Sequence, residues 1–159
     1  MNGKGHRTEA AGATIPSDLA EQLGAVRLTQ LALEAVQDED VDTAAGEFRA
    51  GPGSQGYQHR MLLTLMSYAY ARGLFSSEDL QDRVRTDADL RYLCAREFPE
   101  AESFRLFRRR EWARLNRTLI RLLDRFVQIR MPDWQGDVAL EAVSRMERAA
   151  AADSLSLDC

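Results

Sequence analysis

The sequence predicts an all-α protein: a compact multi-helix domain with a helix-turn-helix-like part and one long arginine-rich helix. Three observations carry that expectation. Ala, Leu, Arg and Glu, all good helix formers, dominate the composition, while β-branched residues are sparse and there are 4 prolines. Apolar residues recur at helical spacing in one segment after another. With 159 residues, 45% of them hydrophobic and 29% charged, the chain has the make-up of a soluble globular domain rather than a disordered one.

Taken in order, Met1–Thr14 is small and polar and reads as a loose tail. Pro16-Ser17-Asp18 supplies a helix start, after which Leu19, Leu23, Val26, Leu31, Leu33 and Val36 keep roughly helical spacing to about Gln37. Asp38-Glu39-Asp40 and Asp42 form an acidic break, and Gly51-Pro52-Gly53-Ser54-Gln55-Gly56 is the clearest loop signal. These place a tail and acidic helical arm over 1–50, a main helical domain over 57–130 and a C-terminal segment over 131–159. From about His59 to Arg72, Met61, Leu62, Leu65, Met66, Ala69 and Tyr70 build a wide apolar face, so this helix is expected at the centre. Gly73 is placed to stop it in a left-handed cap. Ser76 or Ser77 caps the next helix, with Glu78 and Asp79 in its first turn, where the helix dipole favours acids. Asp87 opens another short helix carrying Leu90, Leu93 and Cys94, which ends before Pro99. Ser103 to Arg130 reads as one long helix with the stripe Phe104, Phe107, Leu115, Leu119, Leu122 and Phe126. Beyond it, Asp137–Asp153 is alanine-rich and weakly helical.

Charge is unevenly spread. The net charge of −4 hides four bases against nine acids in 1–56, fifteen against ten in 57–130, and two against six in 131–159. The long helix holds nine arginines against Glu111 and Asp124. A basic middle inside acidic flanks points to an anionic partner or to internal pairing. Lys4 is the sole lysine, so coding bias also contributes to the arginine count.

Other function classes find little support. No apolar run reaches the roughly 20 residues that span a bilayer, and Met1–Ala10 lacks the apolar core of a secretory signal. Cys94 and Cys159 sit in unlike settings, which argues against a disulfide framework and for a cytoplasmic location. Neither His6 nor His59 has a second ligand at metal-binding spacing, so neither metal nor cofactor is expected. Ser76, Ser77 and Ser103 are accounted for as caps, and no small-molecule substrate or catalytic residue is expected.

Several short blocks then resemble a known family. Tyr57, Arg60-Met61-Leu62-Leu63, Tyr68-Ala69-Tyr70, Gly73, Ser76-Ser77, Arg91-Tyr92-Leu93 and Phe107-Arg108-Arg109-Arg110 follow, in order and spacing, the amino-terminal domain of InsH-like insertion-sequence transposases. The resemblance covers about half the chain. It implies a helical domain over 57–130 that binds the element's terminal DNA, normally followed by a ribonuclease-H-like domain with metal-binding Asp, Asp and Glu. Val138-Ala139-Leu140-Glu141 resembles the block where the first catalytic Asp stands, with Glu141 in its place. Two-metal phosphoryl transfer needs several converging carboxylates. The expectation is therefore a truncated, catalytically inactive, transposase-derived domain, with 131–159 a remnant. The family's block before the arginine helix reads Phe98-Pro99-Glu100-Ala101-Glu102 here, and Glu111 stands where a His commonly follows the arginines.

On this reading double-stranded DNA is the partner. Arg105, Arg108, Arg109 and Arg110 would contact the groove or its rim, and Arg114, Arg117 and Arg121 the backbone. The same arginines could instead pair with Asp82, Asp87, Asp89 or the acidic arm. That arm, with Glu34, Asp38, Glu39, Asp40, Asp42 and Glu47, could shield the basic face or serve as a solubilising tail. Tyr68, Tyr70, Tyr92, Phe75 and Trp112 could stack on bases, though packing is their ordinary role; Trp112 is the one expected to be exposed. The competing readings are a helical protein–protein module, such as a homodimer through exposed Phe104, Leu106 or Trp112, and a transposase remnant that folds without function.

Overall fold

Helices form wherever the sequence keeps an apolar face. The structure is a computed structural model and describes residues 14–46 and 54–158; the expected tail falls outside these but for Thr14. In chain order the helices are α1 (Ala20–Leu23), α2 (Ala25–Gly46), α3 (Ser54–Ala71), α4 (Ser77–Arg83), α5 (Ala88–Cys94), α6 (Ala101–Arg110), α7 (Trp112–Arg130) and α8 (Val138–Asp158). The described residues contain no strand, so the all-α expectation stands. No helix among them is long and apolar enough to cross a membrane.

α3 is the centre. Leu63, Leu65, Met66, Tyr68, Ala69, Tyr70 and Ala71 are all buried, which takes in most of its circumference and not a single stripe. α2, α7 and α8 surround it, while α5 covers another side and α4 packs on α6 and α8. Gly73 (φ +83°) ends α3, as its position predicts. The Leu74 and Gly73 amides donate to the carbonyls of Ala69 and Tyr70, at 2.9 and 3.2 Å, closing the last turn in a Schellman motif. A Cβ at Gly73 would meet the Ser17 carbonyl oxygen at 3.0 Å, so both backbone and space favour glycine. Ser76 caps α4 by accepting from the Asp79 amide, and Asp87 caps α5 by accepting from the amides of Asp89 and Leu90.

Four expectations change. The acidic stretch Asp38-Glu39-Asp40 does not break the helix; α2 continues through it to Gly46. Glu39 is held inside by arginines, so its charge is paid for in place. Residues 20–46 are no free arm, since Leu28, Leu31, Ala32, Ala35 and Val36 belong to the common core. Within the expected 51–56 loop, Ser54, Gln55 and Gly56 already belong to α3, and 51–53 lie outside the described residues. The expected long helix is two, α6 and α7, parted at Glu111 (φ −113°, ψ 31°). Glu111 falls on the apolar stripe, four residues after Phe107 and four before Leu115. A straight helix would carry its carboxylate into the core, at high cost. The turn leaves it half-buried, with a carboxylate oxygen 3.4 Å from His59 Nε2.

Candidate nucleic-acid interface

The seven arginines expected to touch DNA are not one surface. Arg108, on the inner side of α6 beside Phe104 and Phe107, is buried at 4% exposure. Its Nη2 lies 2.8 Å from Asp153 Oδ2, and its Nη1 donates to the Tyr70 hydroxyl at 3.2 Å. Burial by itself would lower its pKa; Tyr70 and Asp153 outweigh that and raise it, so the guanidinium stays charged. Asp153 also accepts from the Ser77 amide (2.9 Å) and hydroxyl (2.7 Å), so α8 supplies an acid to the N-terminus of α4. Burial pushes the Tyr70 hydroxyl up to about 12, against the pull of Arg108. Arg108 therefore cannot reach a phosphate from this position. The expectation that it contacts the groove is corrected here: its place four residues after Phe104 turns it inward.

Arg105 donates from Nε to Glu102 at 3.3 Å, and its side chain is 12% exposed. On α7, Arg117 and Arg121 converge on Glu39, at 2.8 and 3.3 Å, and that carboxylate is 1% exposed. Arg125 pairs with Glu34 at 2.8 Å and with Asp38. Three acids of α2 thus face three arginines of α7, and of the row expected on the DNA backbone Arg117 and Arg121 share the one buried carboxylate of Glu39. Arg114 is half-buried. Arg109 and Arg110 differ from all of these. Both are exposed, and neither has an ion pair among the described residues.

Arg145 was not expected to matter. It is 1% exposed, on α8 between the buried Ala142, Met146 and Ala149. Its guanidinium donates to the carbonyls of Pro16, Ser17, Tyr70 and Ala71, binding the segment before α1 to the C-terminal end of α3. Burial lowers its pKa, with Glu141, 3.4 Å from Nε, acting in the other direction. The signal was present in the sequence: a single arginine on an otherwise apolar face.

Residues 19–110 match the family model described as Transposase domain (DUF772). The chain belongs to that family. No curated protein and no solved structure matches it. The transposase domain runs from the start of α1 to the end of α6, with Arg110 as its last matched residue. It takes in α2, which the sequence reading set apart as an arm. The α7 arginines and α8 lie beyond the matched span, whereas Arg105, Arg108, Arg109 and Arg110 lie within it. Among the described residues of this transposase-family chain, no three His, Cys, Asp or Glu side chains gather as a metal site would require. Glu141, on the block that resembles the family's first catalytic position, is half-buried and turned to Arg145.

Proposed function

We propose that this transposase-family chain is a DNA-binding domain of InsH-like descent that holds double-stranded DNA and does not itself cut it. The observation that carries the reading is the pair Arg109 and Arg110: adjacent, exposed, unpaired among the described residues, and inside the matched transposase domain. Guanidinium groups in that condition pay no internal ion pair when they meet a phosphate, so contact releases counterions at little cost. Arg105 and Arg114 flank them in sequence only, Arg105 being 12% exposed and held by Glu102 and Arg114 half-buried. Arg117 and Arg121 would join only by giving up Glu39. The non-catalytic part of the reading is supported by Glu141, which is engaged by Arg145 and joined by no cluster of converging carboxylates among the described residues. A dimerisation role has Leu106 in its favour, at 41% exposure, but Phe104 is fully buried and Trp112 packs on the core.

Fluorescence anisotropy with duplex DNA at several salt concentrations tests this. Arg109→Ala/Arg110→Ala should weaken binding at low salt and reduce the slope of log K against log salt by about 1.8, two phosphate contacts' worth. Arg117→Ala/Arg121→Ala should change that slope less. Equal affinity and slope for wild type and the 109/110 variant would end the reading.

A further inference from the structure

A groove on the α5 side of the molecule is not used by the duplex reading. Its first recess, about 440 Å³, is lined by Ala88, Arg91, Tyr92, Ala95 and Arg96. A second, about 290 Å³, shares Tyr92 and Ala95 and continues past Leu93, Met61 and Leu33 to Arg60. Tyr92 stands on the wall between the two recesses and is 69% exposed, the most open aromatic side chain among the described residues. Trp112, expected to be the exposed ring, packs on the core instead. A ring of this size left in water forgoes most of the gain of burial, while its flat face stays available for stacking.

The surroundings of the ring specify the partner. Arg91 and Arg96 are exposed, line the same recess as Tyr92, and have no ion pair among the described residues. No carboxylate lines either recess; Asp89 and Glu97 lie outside them, and Asp40, in the recess beyond, is held by Arg60 at 2.7 Å. Ala95 (φ 50°) and Arg96 (φ 68°) are both left-handed, a conformation that non-glycine residues rarely adopt. That turn ends α5 and keeps Arg96 beside Tyr92. Cations flanking an open aromatic face, with no acid in the lining, complement a flat ring joined to phosphates. An acidic peptide would match the charge and leave the ring unused, and an all-helical wall offers it no strand edge.

We propose that Tyr92, Arg91 and Arg96 form a site for an unpaired nucleotide of a DNA strand, its base stacked on Tyr92 and its phosphates on the two arginines. The site deepens the DNA-binding reading and rests on it for the polymer. Its residues are distinct from Arg109 and Arg110, so the two can fail separately. The test is anisotropy of a short labelled oligothymidylate, beside a blunt duplex, with the full chain. Tyr92→Ala should weaken single-strand binding on the order of tenfold or more, the usual loss of one stacked base. Tyr92→Phe should bind like wild type, because the ring and not the hydroxyl is used. Arg91→Ala/Arg96→Ala should lower the salt slope by about 1.4, from two single-strand phosphates. Arg109→Ala/Arg110→Ala should leave single-strand affinity within about twofold while duplex affinity falls. All four replace exposed side chains, and matching thermal melts will confirm that each variant folds. No binding of oligothymidylate by wild type overturns the site, and so does Tyr92→Ala binding as tightly as wild type. Tyr92→Phe as weak as Tyr92→Ala overturns it too. Loss of the duplex arm alone would remove the Arg109–Arg110 reading and leave this one standing.

Discussion

The arginines of α7 and those of α5 and α6 share a side chain and little else. On α7, Arg117, Arg121 and Arg125 spend their charge on Glu39, Glu34 and Asp38 across the α2 interface. On α6, Arg109 and Arg110 remain exposed and unpaired among the described residues, as do Arg91 and Arg96 around the end of α5. Arg108 and Arg145 form a third class, buried and committed to Asp153 or to backbone carbonyls. The number of arginines along a helix is thus a poor measure of the potential it presents. What decides is the partner that the fold brings to each one.

The sharpest break in this comparison comes from the buried class. Asp153→Ala would leave Arg108 charged in a dry site and would also strip the Ser77 amide and hydroxyl of their acceptor. Loss of one partner of a buried pair typically costs 3–5 kcal/mol, or about that here. A urea melt should show the midpoint falling by a corresponding amount. Asp153→Leu combined with Arg108→Met should recover a good part of it, because two apolar side chains leave no orphaned charge. A loss below about 1 kcal/mol for Asp153→Ala would mean that water reaches Arg108, and the buried class would merge with the others.

Next in size is the paired class. Glu39→Gln keeps the shape and one acceptor but removes the charge that Arg117 and Arg121 share. Stability should fall by about 1–3 kcal/mol, the range for hydrogen bonds to charged groups. Duplex affinity, in contrast, should rise and become more salt-dependent, since two half-exposed guanidiniums lose their competitor. Opposite signs for folding and binding are the useful feature of this variant. A fall in both would show that Glu39 positions the α7 face and does not compete for it.

Local features were legible in the sequence and tertiary ones were not. Gly73, the Ser76 and Asp87 caps and the central place of α3 follow from residues within one turn of each other, where backbone geometry and side-chain reach are fixed by spacing. The partners of Arg108 and Arg117 come from α8 and α2, and nothing in the local pattern tells a free arginine from a paired one. Two misses did have a local signal. Glu111 stands on the apolar stripe where a straight helix would bury it, and Arg145 is alone among Ala142, Met146 and Ala149. The exposed Tyr92 was readable in part: with Leu90, Leu93 and Cys94 turned inward, position 92 falls on the outer side of α5.

The smallest expected effect lies between the buried and the exposed classes, at Arg72 and Asp87. Their side chains are 16% and 23% exposed and meet at 3.0 Å, while Asp87 also caps α5. Burial alone would raise the Asp87 pKa, but the Arg72 hydrogen bond and the amides of Leu90 and Asp89 outweigh it and hold the pKa below 3.8. A carboxylate held lower in the folded chain than in the unfolded one adds stability that is fully present above the unfolded pKa. That part is lost as pH falls through the folded value. Stability should therefore begin to drop as pH is lowered past about 4, through this group among others. Asp87→Asn keeps the cap and loses the charge, whereas Asp87→Ala loses both; the cap alone is worth about 1 kcal/mol. Urea melts at neutral and acid pH separate the two contributions. At neutral pH the Asn variant should lie between wild type and Ala, and its disadvantage against wild type should shrink as the pH falls. If that disadvantage is the same at both pH values, the Arg72 pair adds no charge-dependent stability and Arg72 belongs with the exposed class.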